Sequence, residues 1–181
     1  MARYYRKKRY YRKKNKWDIE QRASTTAQSA WQSITADGYF NRQALVPIVP
    51  AISQEGVRKV KNLSISMAMS YAGITTTGTQ NTETRSYGPI YWALVYAPEG
   101  TTINDLQFNG ELYQPSNFVI NSGIIDNDNT NKYRISSRLA RNLRANDRIY
   151  LLLGTNINTG NTGTGTPPSI NWLVRYAVCF N

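Results

Sequence analysis

From about residue 45 onward, apolar and polar positions alternate with a period of two, interrupted by clusters of Gly, Pro, Asn and Asp. This is the pattern of an antiparallel sandwich or barrel. The clearest predicted strand is 63–71, where Leu63, Ile65, Met67 and Met69 fall on one face and Ser64, Ser66, Ala68 and Ser70 on the other. Residues 90–96 are apolar on both faces and stop at Pro98-Glu99-Gly100, as a central strand ending in a turn does, so both faces are expected to be covered. Residues 147–153 and 170–180 complete the strong set; in the latter, Trp172, Val174, Tyr176, Val178 and Phe180 are expected to point inward. Weaker segments at 43–49, 105–108, 117–121 and 132–136 bring the expected number to about eight, which suits an all-β chain folded as a single eight-stranded antiparallel jelly roll.

Ahead of this region the period changes. Ile19, Ala23, Ala27, Ala30, Trp31 and Ile34 recur at spacings of three and four, which would line one face of a short helix, with Asp18 near its start. Ser24, Thr25, Thr26, Ser29 and Ser33 lower its helix propensity, so an extended arm is the alternative. The expected organisation is therefore an arm at 1–16, a connecting arm at 17–44 and a jelly-roll domain at 45–181. Polar tracts at 75–87 and 154–168 and the turn at 126–129 are expected to be exposed loops. Gly160, Gly163 and Gly165 do not form a phosphate loop, because no Lys follows and a strand, not a helix, comes next. Asp126 and Asp128 lack a third acid nearby, so a plain solvated turn is expected there and no metal site.

Charge changes the picture at one end only. The 181 residues carry a formal +11, yet residues 1–16 hold nine Lys or Arg and no acid, which leaves 17–181 with thirteen basic and eleven acidic side chains. A nearly neutral body thus bears a cationic tail. The tail nearly repeats itself, RYYRKK occurring at 3–8 and again at 9–14. Its cations Arg3, Arg6, Lys7, Lys8, Arg9, Arg12, Lys13, Lys14 and Lys16 can neutralise phosphates without regard to sequence, and Tyr4, Tyr5, Tyr10 and Tyr11 can stack on unpaired bases. Like-charge repulsion is expected to keep the arm disordered until it meets a polyanion. Single-stranded nucleic acid is the expected partner. A nuclear localisation signal alone would have no use for four tyrosines, and membrane-surface binding lacks an amphipathic stripe.

Five further arginines, Arg134, Arg138, Arg141, Arg144 and Arg148, lie close together in sequence and are candidates for contact with a genome or with acidic groups on a neighbouring subunit. Other chemistry is poorly provided for. The chain has no histidine, hence no ordinary neutral-pH general base, and its one cysteine, Cys179, sits in an apolar alternating run where a small buried hydrophobe is expected. No enzymatic activity and no cofactor are expected. No run of about 18 apolar residues suggests a membrane span.

Three stretches, the basic-aromatic start, Trp92-Ala93-Leu94-Val95-Tyr96-Ala97-Pro98-Glu99-Gly100-Thr101, and Ser137-Arg138-Leu139-Ala140-Arg141-Asn142-Leu143 running into Asp147-Arg148-Ile149-Tyr150, carry a resemblance. The chain resembles coat proteins of small circular single-stranded DNA viruses, including circovirus-like ones, and its layout is similar to satellite plant virus coats, which package RNA. The resemblance implies an eight-stranded jelly roll, an icosahedral shell of sixty subunits, an interior arm that gathers the genome, and a virion location with a nuclear stage in assembly. The tail departs from typical circovirus arms in being shorter and in mixing Lys and Tyr with Arg. A ribosomal-type RNA-associated protein and a jelly-roll lectin-like module are the alternatives from other classes.

Overall fold

The computed structural model of the chain describes residues 17–33, 42–53, 56–70, 89–101, 118–125, 132–138, 140–155 and 168–180. Those residues form ten strands: β1 Asp18–Thr26, β2 Gln32–Ser33, β3 Arg42–Val49, β4 Arg58–Ser70, β5 Ile90–Ala97, β6 Phe118–Ile125, β7 Lys132–Ser137, β8 Arg141–Leu143, β9 Arg148–Thr155 and β10 Ser169–Phe180. All pairings are antiparallel. One sheet runs β1-β10-β4-β7, with β8 also on β4, and the other runs β2-β3-β9-β5-β6.

Alternation decides which residues form the core between the sheets. Leu63, Ile65, Met67 and Met69 of β4 are buried, as are Trp172, Val174, Tyr176 and Val178 of β10; they meet Val46 and Ile48 of β3, Ile90 and Leu94 of β5, and Ile149, Leu151 and Leu153 of β9 in one continuous cluster. Each fully buried side chain of this size contributes about 1.5–3 kcal/mol. The two buried indoles keep their polar ends satisfied: Trp172 Nε1 donates to Thr26 Oγ1 at 3.2 Å and Trp31 Nε1 to the Pro168 carbonyl at 3.0 Å. Gly123 of β6 stands where a side chain would not fit, since a Cβ there would lie 2.8 Å from the Trp92 ring.

The strands expected from alternation are present, β3, β4, β5, β6, β7, β9 and β10 covering their predicted cores. The segments 105–108, 75–87 and 126–129 and most of 154–168 lie outside the described residues. Two expectations are corrected. The spacing of three and four over 19–34 does not make a helix: residues 18–26 are strand β1 along the edge of the first sheet, and the only helical element among the described residues is one 3-10 turn at Gln28–Ala30. The sheet thus takes in residues assigned from sequence to a connecting arm. Phe180 keeps the inward phase of β10, paired with Arg58, but as the last residue of the strand it is 54% exposed and not part of the core.

An irregularity in β4 resets its alternation. Tyr176 of β10 faces two residues of β4, Asn62 and Leu63, because the register shifts between Arg175 and Ala177. Asn62 takes positive φ (55°), as Asn tolerates better than most residues, and is exposed. On its N-terminal side the inward positions are Arg58 and Val60, and beyond it they are Leu63 onward. Arg58 is therefore an arginine facing the interior, 3% exposed, with one terminal nitrogen donating to the Pro50 carbonyl at 2.8 Å. Burial lowers its pKa, offset by Tyr176, Glu20 and Asp147 around it.

Candidate nucleic-acid interface

Directly paired residues in an antiparallel sheet project to the same side, so the registers map the outer face of the first sheet row by row. One row is Thr25, Asn171, Ala68 and Lys132, and the next is Ala23, Leu173, Ser66 and Arg134. Then come Gln21, Arg175, Ser64 and Ser136, followed by Ile19, Ala177 and Lys61, and finally Cys179, Lys59 and Asn142. The rows between them, such as Arg22, Val174, Ile65 and Ile135, point into the sandwich. The outer face thus collects Lys59, Lys61, Lys132, Arg134 and Arg175, with no Asp or Glu among its described residues. Hydroxyl, amide and alanine side chains lie between the cations, together with two exposed apolar residues, Ile19 and Leu173.

Two contacts give this face order. Arg134 Nε donates to Ser64 Oγ at 3.2 Å, holding the guanidinium along the sheet. Lys61 Nζ stands 3.8 Å from the centroid of the Trp17 ring, a cation–π contact that lays Trp17 over the outer face. Trp17 is the residue that directly follows the basic segment 1–16. The tail therefore joins the body at the cationic face. Its own candidate residues, Arg3 to Lys16, lie outside the described residues.

The arginines that are close in sequence do not gather on one face. Arg134 is on the outer face of the first sheet, and Arg138 is exposed just beyond β7. Arg141 pairs with inward-facing Val60 and is half-buried, whereas Arg144 is exposed in the turn between β8 and β9. Arg148 pairs with Ala97 on the outer side of the other sheet, where its Nη1 donates to the Tyr150 hydroxyl at 2.9 Å. Of the five, Arg134 is the one that strand pairing places on the cationic face. Sequence reasoning missed Lys59, Lys61, Lys132 and Arg175; the available signal was that each occupies a polar position of an alternating strand.

The second sheet's outer side has the opposite character. Ala93, Val95, Ala97, Tyr150 and Leu152 form a separate buried cluster there, with Leu45, Tyr91 and Val119 against it. Both faces of β5 are thus covered, as its unbroken apolar run requires.

At one end of the sandwich a buried carboxylate ties the two sheets together. Asp147, 3% exposed, accepts from Tyr96 Oη at 2.7 Å, from the Glu99 amide at 3.1 Å and from the Arg144 amide at 2.7 Å. Asn146, at φ 63°, donates from its side chain to Glu99 (2.8 Å) and from its backbone to the Ile52 carbonyl (2.9 Å). The facing turn closes through Thr101 on the Pro98 carbonyl, with Gly100 at φ 84° as the residue that permits it. Burial and the bond to Asp147 push the Tyr96 phenol up to about 12. Tyr176 is also raised, by burial and by its hydrogen bond to Glu20. These acids are tied into structural bonds, and among the described residues no group of three or more His, Cys, Asp or Glu is placed to hold a metal. Cys179 is buried.

Comparison with models of known protein families gives no match for the chain, and comparison with curated protein sequences gives none either.

Proposed function

We propose that the chain is a capsid protein that assembles into an icosahedral shell of sixty copies and packages a single-stranded genome, taken as DNA, through its basic N-terminal arm and the face on which that arm is rooted. The observation that carries the proposal is the outer face of the β1-β10-β4-β7 sheet, with five cations, no acid among its described residues, and the tail joined to it at Trp17 over Lys61. Five phosphate contacts on such a face would give single-strand binding a salt slope of about −3.5 in log–log terms before the tail adds its own.

The strand order supports the jelly-roll part of the reading. With the two-residue β2 set aside and β7 and β8 taken as one interrupted strand, eight strands remain. The first then pairs with the eighth, the second with the seventh, the third with the sixth and the fourth with the fifth. This is one long antiparallel ribbon. The contacts β10 to β4 and β9 to β5 roll it into two sheets, the arrangement expected of a jelly roll.

Sedimentation velocity and electron microscopy of the full chain across salt concentration test the function. Closed particles that form with single-stranded DNA and loosen at high ionic strength are expected. A monodisperse monomer at every salt, with and without DNA, would overturn the proposal and favour a ribosomal-type or lectin-like role.

A further inference from the structure

On the outer face of the first sheet a shallow trough of about 760 Å³ opens across β1, β10, β4 and β7. Its size lies within the range of about 300–1,000 Å³ typical of small-molecule sites. Its floor is low because Ala68 and Ser66 carry small side chains between taller neighbours. Lys132 and Arg134, both exposed, stand at one side, and Leu173, a large apolar residue left 45% exposed, stands at the other. Asn171 is fixed within it: the Thr25 hydroxyl donates to Asn171 Oδ1 at 2.7 Å, which leaves the amide nitrogen as the group offered to a ligand.

Cations on one side and, across β4, an exposed aliphatic surface beside an oriented amide donor match the three parts of a nucleotide. We infer that the trough is a nucleotide site on the single strand, with phosphate held by Lys132 and Arg134, the base lying over Leu173 and Ala68, and a base carbonyl accepting from Asn171. A duplex does not fit this requirement, because its base faces are covered by neighbouring pairs. The inference rests on the nucleic-acid reading of this face and narrows it to one place on the sheet. It also gives the body a strand-positioning role separate from the charge of the tail.

Photo-crosslinking of the full chain to an oligo(dT) carrying 5-iododeoxyuridine, with the adducts mapped by peptide mass spectrometry, tests it. Adducts are expected in peptides containing residues 132–134 or 171–173. Leu173→Glu, a substitution at an exposed position, should reduce the yield of those adducts about fivefold or more while adducts in residues 1–16 persist. Lys132→Gln, which keeps a long polar side chain and serves if the first variant fails to fold, should lower the trough adducts and reduce the salt slope by about 0.7. Adducts confined to residues 1–16, or trough adducts unchanged in both variants, would overturn the nucleotide site and leave the packaging proposal standing. Failure of the unmodified chain to bind any single-stranded oligonucleotide would overturn both.

Discussion

The two outer faces of the sandwich are built from the same alternation yet differ in almost every property. On the first sheet the outward positions hold five Lys and Arg and no acid among the described residues, set among Ser, Thr, Asn, Gln, Ala and the exposed Ile19 and Leu173, with Cys179 alone buried. On the second they are Ala93, Val95, Ala97, Tyr150 and Leu152, buried nearly as deeply as the core itself. A soluble sheet needs only one buried face. One side is thus cationic and largely open, and the other is committed to packing.

The comparison breaks most visibly where a charge is placed on the apolar side. Val95→Asp, at a position 1% exposed, should destabilise the protein by about 3–5 kcal/mol in urea unfolding. A similar charge change on the first sheet's outer face should not. Next in size is the link between the sheets: Asp147→Ala removes the acceptor for one phenol and two amides and should cost about 3 kcal/mol. A loss below about 1 kcal/mol would show that the two turns hold without it.

How much of this was legible in the sequence follows from where each strand sits. β4, β5, β9 and β10 are interior strands, so their patterns are dictated by neighbours on both sides and could be read directly. β1 is an edge strand whose inward residues are Glu20, Arg22, Ser24 and Thr26, opposite the apolar side chains of β10, so it shows no apolar alternation. The helical spacing of Ile19, Ala23 and Ala27 was coincidental. The cationic face was illegible for another reason. Its residues come from 59–61, 132–134 and 175, each an ordinary polar position, and only the register through β4 assembles them. Conversely, Arg134 and Arg148 are close in sequence and end on opposite outer faces.

A pH series sharpens the view of the end that joins the sheets. Both Tyr96, raised to about 12, and Tyr176 hold their protons in the folded protein above the pH near 10 at which unfolded tyrosines lose them. Their contribution to stability is full below about pH 10 and is lost as pH rises toward 12. Stability should fall across that window, and Tyr96→Phe should make the fall shallower. An unchanged slope would show that Tyr96 does not titrate with unfolding.

The smallest effect on stability, and the most telling for binding, is expected on the cationic side. Replacing Lys59, Lys61 and Arg175 together by Gln should change stability by less than about 0.5 kcal/mol per site. The salt slope for single-stranded DNA should nevertheless drop by about 2. A titration whose slope stays the same would confine phosphate contact to the tail.

Where the cationic face points in an assembly can be seen by cryo-electron microscopy of particles formed from the full chain with single-stranded DNA. A closed shell is expected in which Lys61, Lys132, Arg134 and Arg175 line the lumen beside nucleic-acid density and the second sheet lies toward the exterior. A closed shell with the first sheet on its outer surface and no density against it would overturn the proposal that this face meets packaged nucleic acid.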